Sequence, residues 1–422
     1  MKNISNHPNP QFERNNITIL NGEWECGFKK AKRGYKFGIS ETDLIIFKAN
    51  LNYKINVPFC IESELSGIGY KNFVNAVWYK KTMYIKKTEN KLFLHIGAAD
   101  YKTSLYVNDE FAGSHCGGYT SFAFDISKYI VDGENELFIV CEDDTRNSLI
   151  PSGKQSEKKN SYQCSYTRTT GIWQSVYLEE VPKNHIKNFK IYPDEKQGLI
   201  TIAFDLEGKG NLHCTAKYNE KIVGEKEVKN AAGNTMIQIP LDETHLWEVG
   251  NGRLYNLELT FDKDLVHSYF GLRSVRLDGF KFLINEKSVF QRLVLDQGYY
   301  PKGIYTAQDD EELMNDINLS LAVGFNGARL HQKVFDPRFL YFCDRMGYIV
   351  WGEYANWGID YSNPKAVDIF QNEWKEAVER DFNHPSIIGW CPFNETWDYK
   401  KRKQYIHNLR FYKMSGFNTS LH

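Results

Sequence analysis

The stretch FNGARLHQKVFDPRFLYFCDRMGYIVWGEY, residues 325–354, decides how the second half of the chain folds. It opens on a short apolar strand pattern, FNGARLH (325–331), and closes on another, YIVWGEY (348–354). Between them DPRFLYFCDRMG (336–347) carries helix signals, with Asp336 as a natural N-cap and Gly347 as a natural stop. The rhythm repeats on both sides. VFQRLVLD (289–296) precedes DDEELMNDINLSLAVG (309–324), bounded by Asp309 and Gly324. SIIGWCPF (386–393) follows a helix predicted over about 365–382 and precedes another from about 397. Four strand–helix units in series predict a parallel sheet, doubly wound or closed as a barrel. No strand is followed by the GxGxxG loop of a dinucleotide-binding sheet.

Upstream the rhythm is different. From about residue 17 to 181 short alternating strands such as VWYKKTMYI (77–85), KLFLHIGA (91–98), SLYVNDEF (104–111) and NELFIVCED (135–143) are broken by turn residues, with almost no helical periodicity. That pattern predicts a β-sandwich or jelly roll. The polar stretch SGKQSEKKNSYQCS (152–165) reads as a long exposed loop. Pro182 opens a second β segment with strands at 186–193, 199–208, 211–218, 235–241 and 255–262, the spacing of an immunoglobulin-like sandwich. The expected domains are therefore 1–181, 182–277 and 278–422.

Composition removes several function classes. The 422 residues carry a formal net charge of −1 with both signs interspersed, which gives no footprint for nucleic acid or an anionic membrane. Eight scattered cysteines form no CxxC pair and no zinc spacing. The polar N-terminus MKNISNHPNPQFERNN has no apolar signal core, and no window is apolar enough for a membrane helix, so a cytoplasmic protein is expected. Aromatic residues make up 15% of the chain, a composition that suits both sugar-gripping surfaces and ordinary cores.

Reactive groups of a β/α barrel project from the carboxy ends of its strands. The four strands here end in Asp296, in Arg329 and His331, in Glu353, and in Asn394 and Glu395. Four polar ends on one rim mark a site. Glycoside cleavage needs two carboxyl groups, and Glu395 is placed to donate a proton to the leaving oxygen. Its other reading is the N-terminal acid of the next helix. Asn394 could hydrogen-bond a sugar hydroxyl. His331 could touch substrate or bond within the rim, and Glu353 could face sugar, help hold a cation, act as an auxiliary carboxylate or pair with Arg329. Trp351, Trp357, Trp390 and Trp397 divide between a sugar platform and the core, while His384 lies before its strand, at the structural end of the barrel.

Several stretches resemble one family. ERDFNHPSIIGWCPFNE (379–395) is similar to the acid/base signature of glycoside hydrolase family 2, the β-galactosidase, β-glucuronidase and β-mannosidase group. GFNGARLHQKVFDPRFLYFCDRMGYIVWGE (324–353) resembles its preceding barrel strands. VPFCIESELSGIG (57–69), GAADYKTSLYVNDEFAGSHCGGYTSFAFDIS (97–127) and YTRTTGIWQSVYLE (166–179) resemble its N-terminal jelly roll. The resemblance implies a jelly-roll sugar-binding domain, an immunoglobulin-like β-sandwich and the first half of a (β/α)8 TIM barrel. It implies a retaining reaction on a β-glycoside, with Glu395 as acid/base, Asn394 as its sugar-contacting neighbour, and His331 and Glu353 in the site. Asp296, Arg329, Trp357 and Trp397 join them as candidate substrate contacts on the same rim.

One departure matters. The family's nucleophile is a second glutamate on a later strand, and residues 396–422 contain no glutamate. Residues 278–422 also fall short of the roughly 250 that a closed barrel takes. The expectation is an impaired enzyme with little turnover by itself, its open half barrel exposing strand edges that favour self-association. A non-catalytic carbohydrate-binding protein and an inactive truncation product are the competing readings. No cofactor is required. A magnesium or sodium ion near Glu353 is compatible with the resemblance, but the sequence holds no complete ligand set.

Overall fold

Strand Tyr255–Phe261 buries every second side chain against a core, and this period-two pattern organises most of the chain before residue 275. The computed structural model describes residues 7–32 and 35–396. In the first unit, six antiparallel strands run in the order Tyr53–Val57, Gly22–Lys30, Val74–Ile85, Gly133–Glu142, Lys102–Val107, Glu110–Cys116. A second sheet orders Ile17–Ile19, Val176–Val181, Lys91–Ile96 and Phe122–Asp125. Trp24, Val77, Tyr79 and Ile139 of one sheet share a buried core with Leu94, Ile96, Phe124 and Val176 of the other, the jelly-roll arrangement that the strand spacing predicts.

Two local expectations fail here. Helix Glu41–Ala49 interrupts the β rhythm. Ser40 and Asp43 close a capping box at its start, and Phe47, its one buried side chain, stacks on Trp78 with ring centroids 4.1 Å apart. A helix anchored by one residue has no apolar stripe for periodicity to detect. The loop read as exposed over 152–165 is exposed only at 157–164; residues 152–156 are buried against the barrel.

The second unit is a five-stranded sheet around its own core. Segments 199–208 and 211–218 are one strand, Leu199–Tyr218, with register shifts at Leu206/Lys209 and Gly210/Leu212. Its first half pairs with His185–Asp194 and its second with Tyr255–Phe261, so the bulges let one strand serve both halves of the fold. Gly208 permits the bend: its φ is +87° and a Cβ there would meet Asn184 Oδ1 at 2.1 Å. Arg14 ties this unit to the first. Its guanidinium donates to Asp264 at 2.7 and 2.9 Å, to Glu179 at 2.9 Å and to the Ile186 carbonyl at 2.6 Å.

The third unit holds parallel strands Leu293–Asp296, Gly327–Leu330, Ile349–Glu353 and Ile387–Cys391, adjacent in space as in sequence. Helices Asp310–Ala322, Pro337–Met346 and Pro364–Arg380 connect them. An unreversed strand order is barrel winding; a doubly wound sheet reverses at a switch point. Asp309 and Asp336 cap their helices as expected, accepting from the Glu312 and Arg338 amides, and Gly347 closes the second helix at φ +67°. The helix expected from about 397 lies outside the described residues. The jelly roll abuts the barrel through a shared core of Tyr119 and Trp173 with Tyr305, Tyr354, Phe370 and Trp374. Among the described residues no helix is long and apolar enough to cross a membrane.

Candidate active site

Arg329, His331 and Asn394 form one hydrogen-bonded group around Glu353, whose side chain is fully buried at the end of the third barrel strand. Arg329 Nε donates to Glu353 Oε2 at 2.6 Å, while His331 Nδ1 lies 2.9 Å from Oε1 and the Gln332 amide donates to Oε1 at 3.1 Å. Burial opposes the charge on this carboxylate. The hydrogen bonds from His331 and Arg329 overcome that cost and hold Glu353 below the usual carboxylate range. Of the readings open from the sequence, the structure takes the pairing with Arg329.

Arg329 extends the group to the fourth strand. Its Nη2 donates to Asn394 Oδ1 at 2.6 Å, which turns the amide nitrogen of Asn394 away from the guanidinium. The Asn394 backbone is fixed as well. Its N–H donates to Asn356 Oδ1 at 2.9 Å, and its carbonyl accepts from Asn356 Nδ2 and Trp357 Nε1, each at 3.2 Å. Glu395 follows in the loop beyond strand Ile387–Cys391, exposed and with a left-handed φ of +50°. Its carboxylate is near enough to Arg329 to favour the guanidinium charge.

Other candidates part company with this group. Asp296 is half-buried, accepts from the Gly298 amide at 2.9 Å and faces the charge of Lys333; desolvation raises its carboxyl above the usual range. Trp351 donates to Gln291 and packs in the core, and Trp390 meets Trp374 edge-on. Trp357 does lie at the rim, but Lys154 Nζ covers its ring 3.7 Å from the centroid. His384 bonds Asp344 at 2.6 Å at the far end of the barrel. Trp397 lies outside the described residues. Glu353 does not fit a magnesium or sodium ligand, because both of its oxygens are taken by protein donors, and among the described residues no cluster of three or more candidate ligands occurs.

Sequence reasoning missed Gln332, Asn356 and Lys154. Gln332 Nε2 donates to Asn356 Oδ1 and its Oε1 accepts from the Trp357 amide at 3.0 Å, so these two amides splice the second, third and fourth strand ends. Their only signal was position: Gln332 directly follows His331, and Asn356 comes three residues after Glu353. Lys154 carried none, because it comes from the jelly roll. Its loop is held by the Ser152 and Gly153 amides, which donate to the Trp357 carbonyl at 2.9 and 3.2 Å. Gly153 has φ +57°, and a Cβ there would sit 2.4 Å from the Gln332 carbonyl oxygen. Gly153→Ala is therefore expected to cost about 2 kcal/mol in thermal unfolding. Gly233→Ala, at φ +56° with nothing within 4 Å, serves as the control for backbone strain alone.

The comparisons agree with this architecture along nearly the whole chain. Residues 17–182 match the sugar binding domain of glycosyl hydrolases family 2, residues 184–273 the domain that carries the family's own description, and residues 275–415 its TIM barrel domain. A β-galactosidase of Thermoanaerobacter pseudethanolicus is 28% identical over 359 residues, covering 79% of this chain and 47% of that protein. A β-glucuronidase of Streptococcus agalactiae is 24% identical over 366 residues, covering 77% and 59%. The chain thus spans about half the length of the curated relatives it matches. Among solved structures, a Ruminococcus gnavus β-glucuronidase in complex with D-glucuronic acid superposes with a TM-score of 0.80 at 19% identity, over 96% of this chain and 72% of that one. A Dictyoglomus thermophilum β-glucuronidase gives 0.76 at 23%, over 94% and 71%. Three consecutive domain matches in one order, on a rim built from four strand ends, place this chain in glycosyl hydrolases family 2.

Proposed function

We propose that this chain carries the acid/base side of a retaining β-glycosidase site. Glu395 protonates the leaving oxygen of a β-glycoside, and the Asn394 amide binds a hydroxyl of the sugar. The observation that carries the reading is the clamp from Glu353 through Arg329 to Asn394, which fixes the residue beside Glu395. Retention requires a second carboxyl about 5–5.5 Å from the first. Glu353 has both oxygens engaged and Asp296 is turned to Lys333 and the Gly298 amide, so neither is free to attack. We place the nucleophile outside the described residues.

The test is a panel of aryl β-glycosides, read both by titration calorimetry and by release of the aryl group. Saturable binding of at least one member is expected, weakened about tenfold in Asn394→Ala. Any turnover of substrates with poor leaving groups should fall about a hundredfold or more in Glu395→Gln. A folded chain that binds no member of the panel sinks the reading, as does turnover that Glu395→Gln leaves intact.

A further inference from the structure

Glu395 stands at a left-handed φ of +50°, which a residue with a Cβ adopts only at a steric cost. Turning over the peptide between Asn394 and Glu395 would relieve that cost, because the rotation changes ψ of Asn394 and φ of Glu395 together. The Asn394 carbonyl lies in this same rigid plane. Whatever holds the carbonyl therefore decides the conformation of Glu395. The guanidinium of Arg329 does not hold it, since it reaches only the Asn394 side chain.

Asn356 does. Its side chain is 1% exposed and comes from the loop after the third barrel strand. Oδ1 accepts from the Asn394 N–H at 2.9 Å, while Nδ2 donates to the Asn394 carbonyl at 3.2 Å. A backbone N–H and C=O cannot exchange roles, so the amide has one workable orientation here. Nδ2 also donates to the Tyr361 hydroxyl at 2.9 Å, and that hydroxyl donates to the Asn356 carbonyl at 2.7 Å. Gln332 completes the set. Its Oε1 accepts from the Trp357 amide, which leaves its Nε2 to donate to Asn356 Oδ1. Every hydrogen bond that the Asn356 amide can make is made. If the peptide turned over, the Glu395 N–H would point where the Asn394 carbonyl now points, and Asn356 Nδ2 and Trp357 Nε1 would face it donor against donor. Strain of this kind persists where the surroundings over-determine the backbone.

Resting on the glycosidase reading above, we propose that Asn356 is a positioning residue: by gripping both backbone groups of Asn394 it locks the Asn394–Glu395 peptide in the orientation that keeps Glu395 left-handed, and so aims the acid/base carboxyl.

Asn356→Asp tests the lock. Aspartate has the same shape and still accepts from Gln332 and the Asn394 N–H, but it sets an oxygen against the Asn394 carbonyl. Crystal structures of the 422-residue chain and of this variant, both grown at pH 8, are read for φ at residue 395 and for the direction of the Asn394 carbonyl. The native carbonyl is expected on Asn356 and Trp357; in the variant the peptide should be turned over, with a negative φ at Glu395. Affinity for the aryl β-glycoside that the native chain binds best should fall about tenfold, the loss of one hydrogen bond from Glu395 to the glycosidic oxygen. A native crystal with that carbonyl facing away from Asn356 overturns the proposal without any variant. So does a variant whose peptide keeps its native orientation, or one whose peptide turns while affinity stays within about twofold of native. A peptide that turns as expected in a chain that binds no member of the panel would count against the glycosidase reading and not against the lock.

Discussion

Replacing Glu353 by glutamine is expected to cost about 3–5 kcal/mol of stability, the range for removing one partner of a buried, hydrogen-bonded charge pair. The carboxylate accepts from Arg329, His331 and the Gln332 amide at once. Glutamine offers one acceptor oxygen, and its NH2 must then face either the guanidinium or the imidazole and amide. Whichever way it turns, a donor meets a donor. Arg329 also loses the anchor that aims it at Asn394, so sugar binding should weaken together with stability. The pH dependence is diagnostic. Hydrogen bonds depress the folded-state pKa of Glu353 against the cost of burial, so its contribution is fully present above the unfolded value of about 4.5 and is lost as pH falls through the lower folded value. The gap between the native chain and Glu353→Gln in urea unfolding should therefore be flat from pH 5 to 8 and close below about pH 4. A loss under 1 kcal/mol, or a gap that widens in acid, would show that the rim does not depend on this charge.

The order of domains and the rim were legible in the sequence for a common reason. Alternation and helix caps are local, and polar residues at the ends of Gly327–Leu330, Ile349–Glu353 and Ile387–Cys391 stand out against apolar strands. What joins them was not legible. Lys154 reaches Trp357 from another domain, and no spacing rule links positions 203 residues apart. Asp296 looked equivalent to Glu353 as a strand-end acid. The two separate because Asp296 faces Lys333 and the Gly298 amide while Glu353 meets Arg329 and His331, a difference of partners that strand patterns do not encode. Leu199–Tyr218, expected as two strands over 199–208 and 211–218, is one strand because its partners continue past the register shifts around Gly208 and Gly210.

The second large effect lies where the jelly roll meets the barrel. Glu373, 3% exposed on helix Pro364–Arg380, accepts from the hydroxyls of Tyr101 in the jelly roll and Tyr354, the residue after Glu353. Burial pushes its carboxyl up to about 8; the two tyrosine hydrogen bonds pull the other way, and Asp100 and Glu376 add to the rise. The unfolded chain releases this proton near 4.5 while the folded chain keeps it to about 8, so stability falls as pH rises through that window. At about 1.4 kcal/mol per pH unit, the loss from pH 5 to 8 is on the order of 4 kcal/mol. Asp100, whose carboxyl burial also raises, acts in the same direction. Glu373→Gln keeps one acceptor for a tyrosine and cannot ionise. Its urea midpoint should stay nearly level from pH 5 to 8, matching the native chain within about 1 kcal/mol in acid and exceeding it at pH 8. Parallel curves for the two proteins would mean that Glu373 is charged in the folded state and that the tyrosines, not a retained proton, satisfy it. Because Tyr354 directly follows Glu353, a level curve would also show that the two domains dock onto the rim through a neutral acid, leaving Glu353 as the one carboxylate of the pair that carries charge at neutral pH.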